Sequence, residues 1–167
     1  ITFARKILFK QWGGKYLPND VPEGLDKEVV LEVLEPTKIY VKPVLKLAHE
    51  IKIKAAVHIT GDAYLKFNNL ANYSPGIGFE FNNFKPHPIF GLIQRTAAEL
   101  GLIITDEEMF KTFNMGWGFG IVVDNANTEK ALSTLKQAGV NPEIIGKITN
   151  KQKVVEIDYK KKHMVFT

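Results

Sequence analysis

Apolar positions along this chain change their spacing several times, and each change marks an element. Ala4, Ile7, Leu8 and Trp12 recur at helical intervals, with Thr2 placed to cap and Gly13-Gly14 to close, so a helix is predicted from Thr2 to Trp12. Residues 15–28 mix two prolines, a glycine and several acids and read as a surface loop. Val29 to Leu34 is apolar and short, and Pro36-Thr37 makes a turn before Ile39-Tyr40-Val41. Pro43 suits the first turn of a helix carrying Val44, Leu45, Leu47 and Ala48. Lys54 to Thr60 reads as a strand, and Asn68 to Asn83, rich in Asn, Gly and aromatics, as a long loop or short hairpin. Pro86 and Pro88 precede a strong helix, Ile89 to Leu100, ended by Gly101. Thr105-Asp106-Glu107-Glu108 is a capping box opening a short helix through Met109, Phe110 and Phe113.

Trp117 to Val123 alternates and then turns wholly apolar, as a buried strand does. Asn127 or Thr128 caps a helix through Ala131, Leu132 and Leu135, with Gly139 just past its end. Glu143 to Ile148 and Val154 to Tyr159 read as the last strands, joined as a hairpin at Asn150. Strands and helices interleave without repeat or linker. The expectation is one α+β domain over residues 1–167, a mixed, largely antiparallel sheet covered by helices.

Composition narrows the function classes. A chain of 167 residues, 45% hydrophobic and 24% charged, has the size and balance of one globular domain. No apolar run approaches the roughly 20 residues of a spanning helix, so no membrane partner is expected. The first residue is Ile1 rather than Met, which suggests a processed or truncated piece. The absence of cysteine excludes disulfides, thiolate catalysis and Cys-ligated zinc, and suits a cytoplasmic address. The net charge is +4, yet Arg5 and Arg95 are the only arginines. Lysines spread along a chain make a solvated surface, so no nucleic-acid partner is expected. Lys160-Lys161-Lys162-His163 is the one dense basic run, read as solvated, with an anion or RNA patch as the alternative.

Candidate chemistry gathers in three places. His58 lies between Val57 and Ile59 in a predicted strand, either as a structural histidine with one hydrogen-bond partner or as a ligand contact. Thr60, Gly61, Asp62 and Ala63 follow as a polar turn, where backbone N–H groups can bind phosphate oxygens. The Asp62 charge opposes an anion there and would suit a hydroxyl or Mg²⁺ better. Thr2 and Arg5, at a helix start, offer exposed donors and a guanidinium to an anion, or form an ordinary capped helix. Asn114-Met115-Gly116 opens a run with glycines at 116, 118 and 120, which fits neither a Walker loop nor a dinucleotide fingerprint. These glycines serve either close backbone packing or the approach of a ligand or loop. His49, His87 and His163 are isolated, and no metal-ligand spacing is found.

Five segments, in order, resemble the carboxyl-terminal domain of the aminoimidazole ribonucleotide (AIR) synthetase family, the phosphoribosylformylglycinamidine cyclo-ligases. Thr2-Phe3-Ala4-Arg5-Lys6 is similar to its Ser/Thr-Leu-x-Arg-Lys helix opening, and Pro36-Thr37-Lys38-Ile39-Tyr40-Val41-Lys42 to its Pro-Thr-Arg-Ile-Tyr-Val-Lys segment. His58-Ile59-Thr60-Gly61 resembles its His-Ile-Thr-Gly-Gly-Gly motif. Glu108 to Gly118 resembles Glu-Met-x-x-Thr-Phe-Asn-Met-Gly-Ile-Gly, and Ala138-Gly139 through Ile145-Gly146 the closing segment. Two departures stand out. The glycine triplet becomes Gly61-Asp62-Ala63, and the following Asn-Leu/Ile-Pro-Arg becomes Asn69-Leu70-Ala71-Asn72, without its arginine.

The resemblance implies the family's fold, with partly ferredoxin-like topology, and a role in an ATP-dependent ring closure in purine biosynthesis. It implies ATP and Mg²⁺ held mostly by an amino-terminal ATP-binding domain outside this chain, a small ribonucleotide substrate and a homodimeric enzyme. Thr2, Arg5, Thr60, Gly61, Asp62, Ala63, Asn114, Met115 and Gly116 would bind substrate or its phosphate. His58 would act in acid–base chemistry or positioning. The alternatives are a non-catalytic binding module of the same fold, or another family member such as formylglycinamidine ribonucleotide synthetase.

Overall fold

The computed structural model describes residues 2–167. In chain order the helices are α1 (Thr2–Leu8), α2 (Val29–Val33), α3 (Val41–Glu50), α4 (Pro88–Glu99), α5 (Asp106–Thr112) and α6 (Thr128–Gln137). The strands are β1 (Ile53–His58), β2 (Gly78–Phe81), β3 (Phe119–Val123), β4 (Gly146–Thr149), β5 (Val155–Tyr159) and β6 (Lys162–Phe166). A 3-10 segment, Ala63–Asn72, lies between β1 and β2. No helix among the described residues is long and apolar enough to cross a membrane.

The chain forms two compact units. The first takes the residues up to Thr37 together with Lys85–Gly116, and the second takes Lys38–Phe84 with Trp117–Thr167. The first unit is helical, and its core joins Ile7, Leu8, Leu25 and Val29 to Leu92, Ile93 and Ala97 of α4. Those α4 residues recur at helical spacing on one face, as an amphipathic helix requires. The predicted helix through Trp12 stops at Leu8 because Phe9 leaves helical geometry and bridges to Tyr16. Tyr16 N–H donates to Leu8 O at 2.7 Å and Lys10 N–H to Tyr16 O at 2.9 Å, which occupies the groups a continuing helix would need. Thr2 is the first helical residue, not the cap. The apolar stretch from Val29 supplies α2.

The capping box forms as read. Thr105 Oγ1 accepts from Glu108 N–H at 3.2 Å while the Glu108 carboxylate accepts from Thr105 N–H at 2.8 Å. Gln94 then ties α4 to this start, donating to Ile104 O and Asp106 Oδ1, both at 3.0 Å.

The second unit holds both sheets. β1 and β3 pair antiparallel, from Ile53↔Val123 to His58↔Phe119. α3 and α6 cover this ribbon through Leu47, Ile51 and Ala131, packed with Ile53, Ile121, Val123 and Leu135. The other sheet runs β4-β2-β5-β6, with β2 and β5 parallel and the remaining pairs antiparallel. Phe79, Phe81, Val155, Ile157, Met164 and Phe166 are buried at alternate positions. The 3-10 segment packs on that face, with Phe67 4.9 Å from Phe81 and 5.2 Å from Phe79 between ring centres. On the polar side Lys147 meets Glu80 at 3.2 Å and Lys151 meets the buried Glu156 at 2.6 Å. His163 reaches Glu156 at 3.3 Å and Asp158 at 2.7 Å.

Two expectations are corrected here. The stretch from Asn68 to Asn83 is no simple loop: it contains half of the 3-10 segment and β2, an interior strand. Phe79-Glu80-Phe81 has strand alternation, but β2, Gly78–Phe81, is only four residues long and flanked by turn formers. The hairpin expected at Asn150 is also absent, because β4 and β5 both pair with β2 rather than with each other. The true hairpin is β5–β6, turned at Lys160 and Lys161, both at positive φ (49° and 65°). Such turns favour Asn and Gly, so a Lys-Lys turn carries no sequence signal. The rest of the fold class stands: α+β, with antiparallel and mixed sheets and covering helices.

Candidate functional site

His58 ends β1 opposite Phe119 with its side chain exposed. Its ring centre lies 6.4 Å from Tyr40, edge-on, and 6.1 Å from Phe119, while Tyr40 stacks on Phe119 at 5.1 Å. Burial pushes the Tyr40 phenol above its usual range. Two aromatic walls therefore hold the imidazole at the strand end. Ile59 N–H still donates to Gly118 O at 2.9 Å, and beyond it Thr60 leaves the sheet.

The turn that follows closes through Ala63 N–H to Thr60 O at 2.7 Å. Asp62 sits at φ 63° and Ala63 at φ 37°. Left-handed geometry costs an L-residue roughly 1–2 kcal/mol, less for Asp, which explains why glycines suit these two positions in the motif this segment resembles. Thr60, Gly61 and Asp62 are exposed, and a methyl group at Gly61 would meet nothing within 4 Å. Neither the Gly61 nor the Asp62 N–H is used in a hydrogen bond among the described residues. Lys66 Nζ donates to Thr60 Oγ1. The turn is thus open, rich in donors, and carries one cation and one carboxylate.

The Asn114–Gly116 segment leaves α5 in the first unit. Gly116 N–H donates to Asn114 Oδ1 at 3.1 Å, Met115 is buried at φ 56°, and Gly116 sits at φ 115°. The three glycines have a common use. A methyl at Gly116 would lie 2.8 Å from the His87 ring, and one at Gly120 2.6 Å from Phe67. One at Gly118 would overlap the Tyr40 hydroxyl. Each glycine seats a ring, so of the two readings of this run close packing describes all three.

Thr2 and Arg5 lie exposed on α1, and the Arg5 guanidinium rests 5.7 Å above the Trp12 ring. Phe3 and Phe113 stand 6.3 Å apart between centres, which brings the start of α1 beside the end of α5. The first unit therefore groups Thr2 and Arg5 with Asn114–Gly116, and the second holds His58–Ala63. Sequence pattern singles out neither Tyr40 nor Lys66. Tyr40 lies within the Pro36–Lys42 segment, but a lysine three residues into a 3-10 segment has no signal of its own. The second unit also contains a cavity of about 650 Å³, walled by Tyr40, Phe67, Phe79, Trp117 and Phe119 among others. Among the described residues no three His, Asp or Glu side chains group as a metal site.

Comparison with known proteins follows the same lines. The chain matches the family described as "AIR synthase related protein, C-terminal domain" over residues 9–158, which crosses both units. It is 35% identical over 177 aligned positions to the phosphoribosylformylglycinamidine cyclo-ligase of Methanococcus maripaludis strain C5, covering 99% of this chain and 47% of that protein. It is 41% identical over 151 positions to the enzyme of the same name from Caldicellulosiruptor saccharolyticus, covering 88% of this chain and 42% of that protein. The chain thus spans a little under half the length of these relatives, in their C-terminal part. In fold it is similar to a chain in the structure titled "Crystal structure of HypE-HypF complex", at 19% identity and a TM-score of 0.54 over 83% of this chain and 46% of that one. Carrying the family's pattern from Phe9 to Asp158, this chain belongs to the AIR synthase related proteins and corresponds to their C-terminal domain.

Proposed function

We propose that this chain is the C-terminal domain of an ATP-dependent cyclo-ligase that converts formylglycinamidine ribonucleotide to aminoimidazole ribonucleotide in purine biosynthesis. Identity of 35–41% over 88–99% of the chain with proteins of that name carries the reading. In this reaction the formyl amide oxygen of the substrate takes the γ-phosphoryl group, with ADP leaving. The amidine-side nitrogen then attacks the activated carbon, the C–O bond breaks to release phosphate, and loss of a proton leaves the imidazole ring. His58, walled by Tyr40 and Phe119, is a candidate to orient the reacting group or take that proton. The open donors of Thr60, Gly61 and Asp62 suit the substrate phosphate, with Ala63 N–H closing the turn behind them on Thr60 O. Within the first unit, Thr2, Arg5, Asn114, Met115 and Gly116 are the further residues proposed to bind substrate.

Among the described residues no three metal-ligating side chains group together. ATP and Mg²⁺ are assigned instead to an amino-terminal ATP-binding domain, within a cytoplasmic homodimer, and no step here runs through the metal. The isolated chain is expected to be inactive. Turnover by it, free of contaminating full-length enzyme, refutes that assignment. The direct test is an NMR titration with formylglycinamidine ribonucleotide and, separately, Mg-ATP. Saturable shifts at Gly61, Gly116 and Arg5 with the ribonucleotide support the reading, and their absence even with the amino-terminal domain added overturns it. Asp62 and Ala63 at positive φ favour one second reading, a binding module whose catalytic turn has drifted. Under it, Asp62→Gly in the full enzyme leaves turnover unchanged; under the first reading it raises it.

A further inference from the structure

The turn after β1 has a counter-charge problem. Its donors suit a phosphate, but Asp62 places a carboxylate among them, and like charges near a binding site oppose each other. Lys66 answers that problem geometrically. It projects from the 3-10 segment onto the turn, where its ammonium donates to Thr60 Oγ1. Among the described residues no carboxylate lies within ion-pair distance of Lys66, Asp62 included, so this cation is not neutralised by a protein partner. An ammonium has three N–H donors and Thr60 takes one. By accepting from Lys66, Thr60 keeps its own O–H free to donate outward. The free N–H groups of Gly61 and Asp62 lie on the same exposed turn. Arg5, the other basic group singled out above, is instead laid over Trp12.

We propose that Lys66 is the anion-binding side chain of the Thr60–Ala63 turn, pairing with a phosphate monoester alongside the Thr60 hydroxyl and the Gly61 and Asp62 amides. The inference rests on reading that turn as the substrate-phosphate site. It adds a specificity-determining residue to that reading: Lys66 offsets Asp62 and makes the turn select a dianion over a neutral sugar.

The test uses the chain itself, ¹⁵N-labelled, titrated with inorganic phosphate and with ribose 5-phosphate at fixed ionic strength. Ribose is the neutral control. The Gly61 and Asp62 amides of the wild type should shift saturably with both phosphates and not with ribose. Lys66→Gln should weaken binding about tenfold, the loss of one hydrogen bond to a charged group. Lys66→Arg should retain it, and Asp62→Asn should tighten it severalfold. Spectra far from the turn should be unchanged, since Asp62 is exposed and Lys66 is half-buried at the start of the 3-10 segment beside it. Equal affinity in the wild type and Lys66→Gln, with Gly61 still shifting, overturns the role of Lys66 and leaves the turn reading intact. Shifts confined to Thr2 and Arg5, or no response up to the solubility limit of either probe, overturn the turn reading and the inference with it.

Discussion

Gly120→Ala tests whether ring seating by glycine holds the second unit together. The added methyl carbon would lie 2.6 Å from Phe67 Cζ and 3.3 Å from Cε1, against about 3.5–4.0 Å for relaxed carbon contacts. Phe67 is buried, with Phe79 and Phe81 packed against it, so it has little room to retreat. Overpacking of this kind costs about 1–3 kcal/mol. Alanine in a strand interior returns roughly 0.5–1 kcal/mol relative to glycine, which leaves a net loss of about 0.5–2 kcal/mol. The assay is urea unfolding in a Trp12→Phe background, so that Trp117 fluorescence reports on the unit that holds Gly120. The same substitution is then made with Phe67→Leu. Once the ring is gone, the overlap is gone, and Gly120→Ala should become neutral or stabilising, a coupling of about 1–3 kcal/mol. Because Phe67 follows Lys66, the single substitution should also move the amide resonances of Thr60–Ala63. Equal destabilisation in both backgrounds, or none in either, refutes the argument.

Thr105→Ala should lower stability by about 1 kcal/mol, the usual worth of an N-cap, read by urea unfolding followed at Trp12 in a Trp117→Phe chain. The Thr105 backbone N–H and hydroxyl hold the Glu108 carboxyl below its usual range; this contribution is present above the unfolded pKa and lost as pH falls through the folded one, which a carboxyl NMR titration with and without Thr105 will follow. His163 is shifted upward by its hydrogen bond to Asp158 and then by the charges of Asp158 and Glu156, so its contribution is complete below its unfolded pKa and fades as pH rises through the folded value. An imidazole NMR titration should show an elevated midpoint that falls in Asp158→Asn. Lys161→Gly should relieve left-handed strain in the β5–β6 turn and raise Tm by about 1–3 °C, net of the entropy glycine adds to the unfolded chain, by calorimetry.

Elements whose signals are local were legible in the chain. The Thr105 box, the α4 face and the β1 and β3 strands each rest on neighbours within a few residues, and each appears where pattern puts it. The failures share a physical cause. β2 is only four residues long and is defined by partners far away in sequence, at Lys147 and Glu156. The Lys160-Lys161 turn is imposed by the pairing of β5 with β6 against the preference of its own residues. The same distinction applies to the candidate site. Motif segments pointed to the turn at Thr60–Ala63, whereas the aromatic walls around His58 arise from tertiary packing that no spacing encodes, and the Lys66 contact, only six residues from Thr60, depends on a 3-10 segment that the sequence pattern did not reveal.

The parallel pairing of β2 with β5 also has a consequence during synthesis. Phe79 finds Val155 only after 76 further positions have been made. At about 5–20 residues per second, β2 waits roughly 4–15 s on a ribosome before that partner exists. Until β4 is made near the end of that interval, the Phe79 and Phe81 rings and both strand edges have no sheet to join, the state in which chains associate wrongly. The 3-10 segment just upstream, already translated, packs Phe67 and Tyr64 edge-on or tilted against the same rings. A packing element of the finished unit is therefore in place early enough to act as an internal chaperone for the strand that must wait longest.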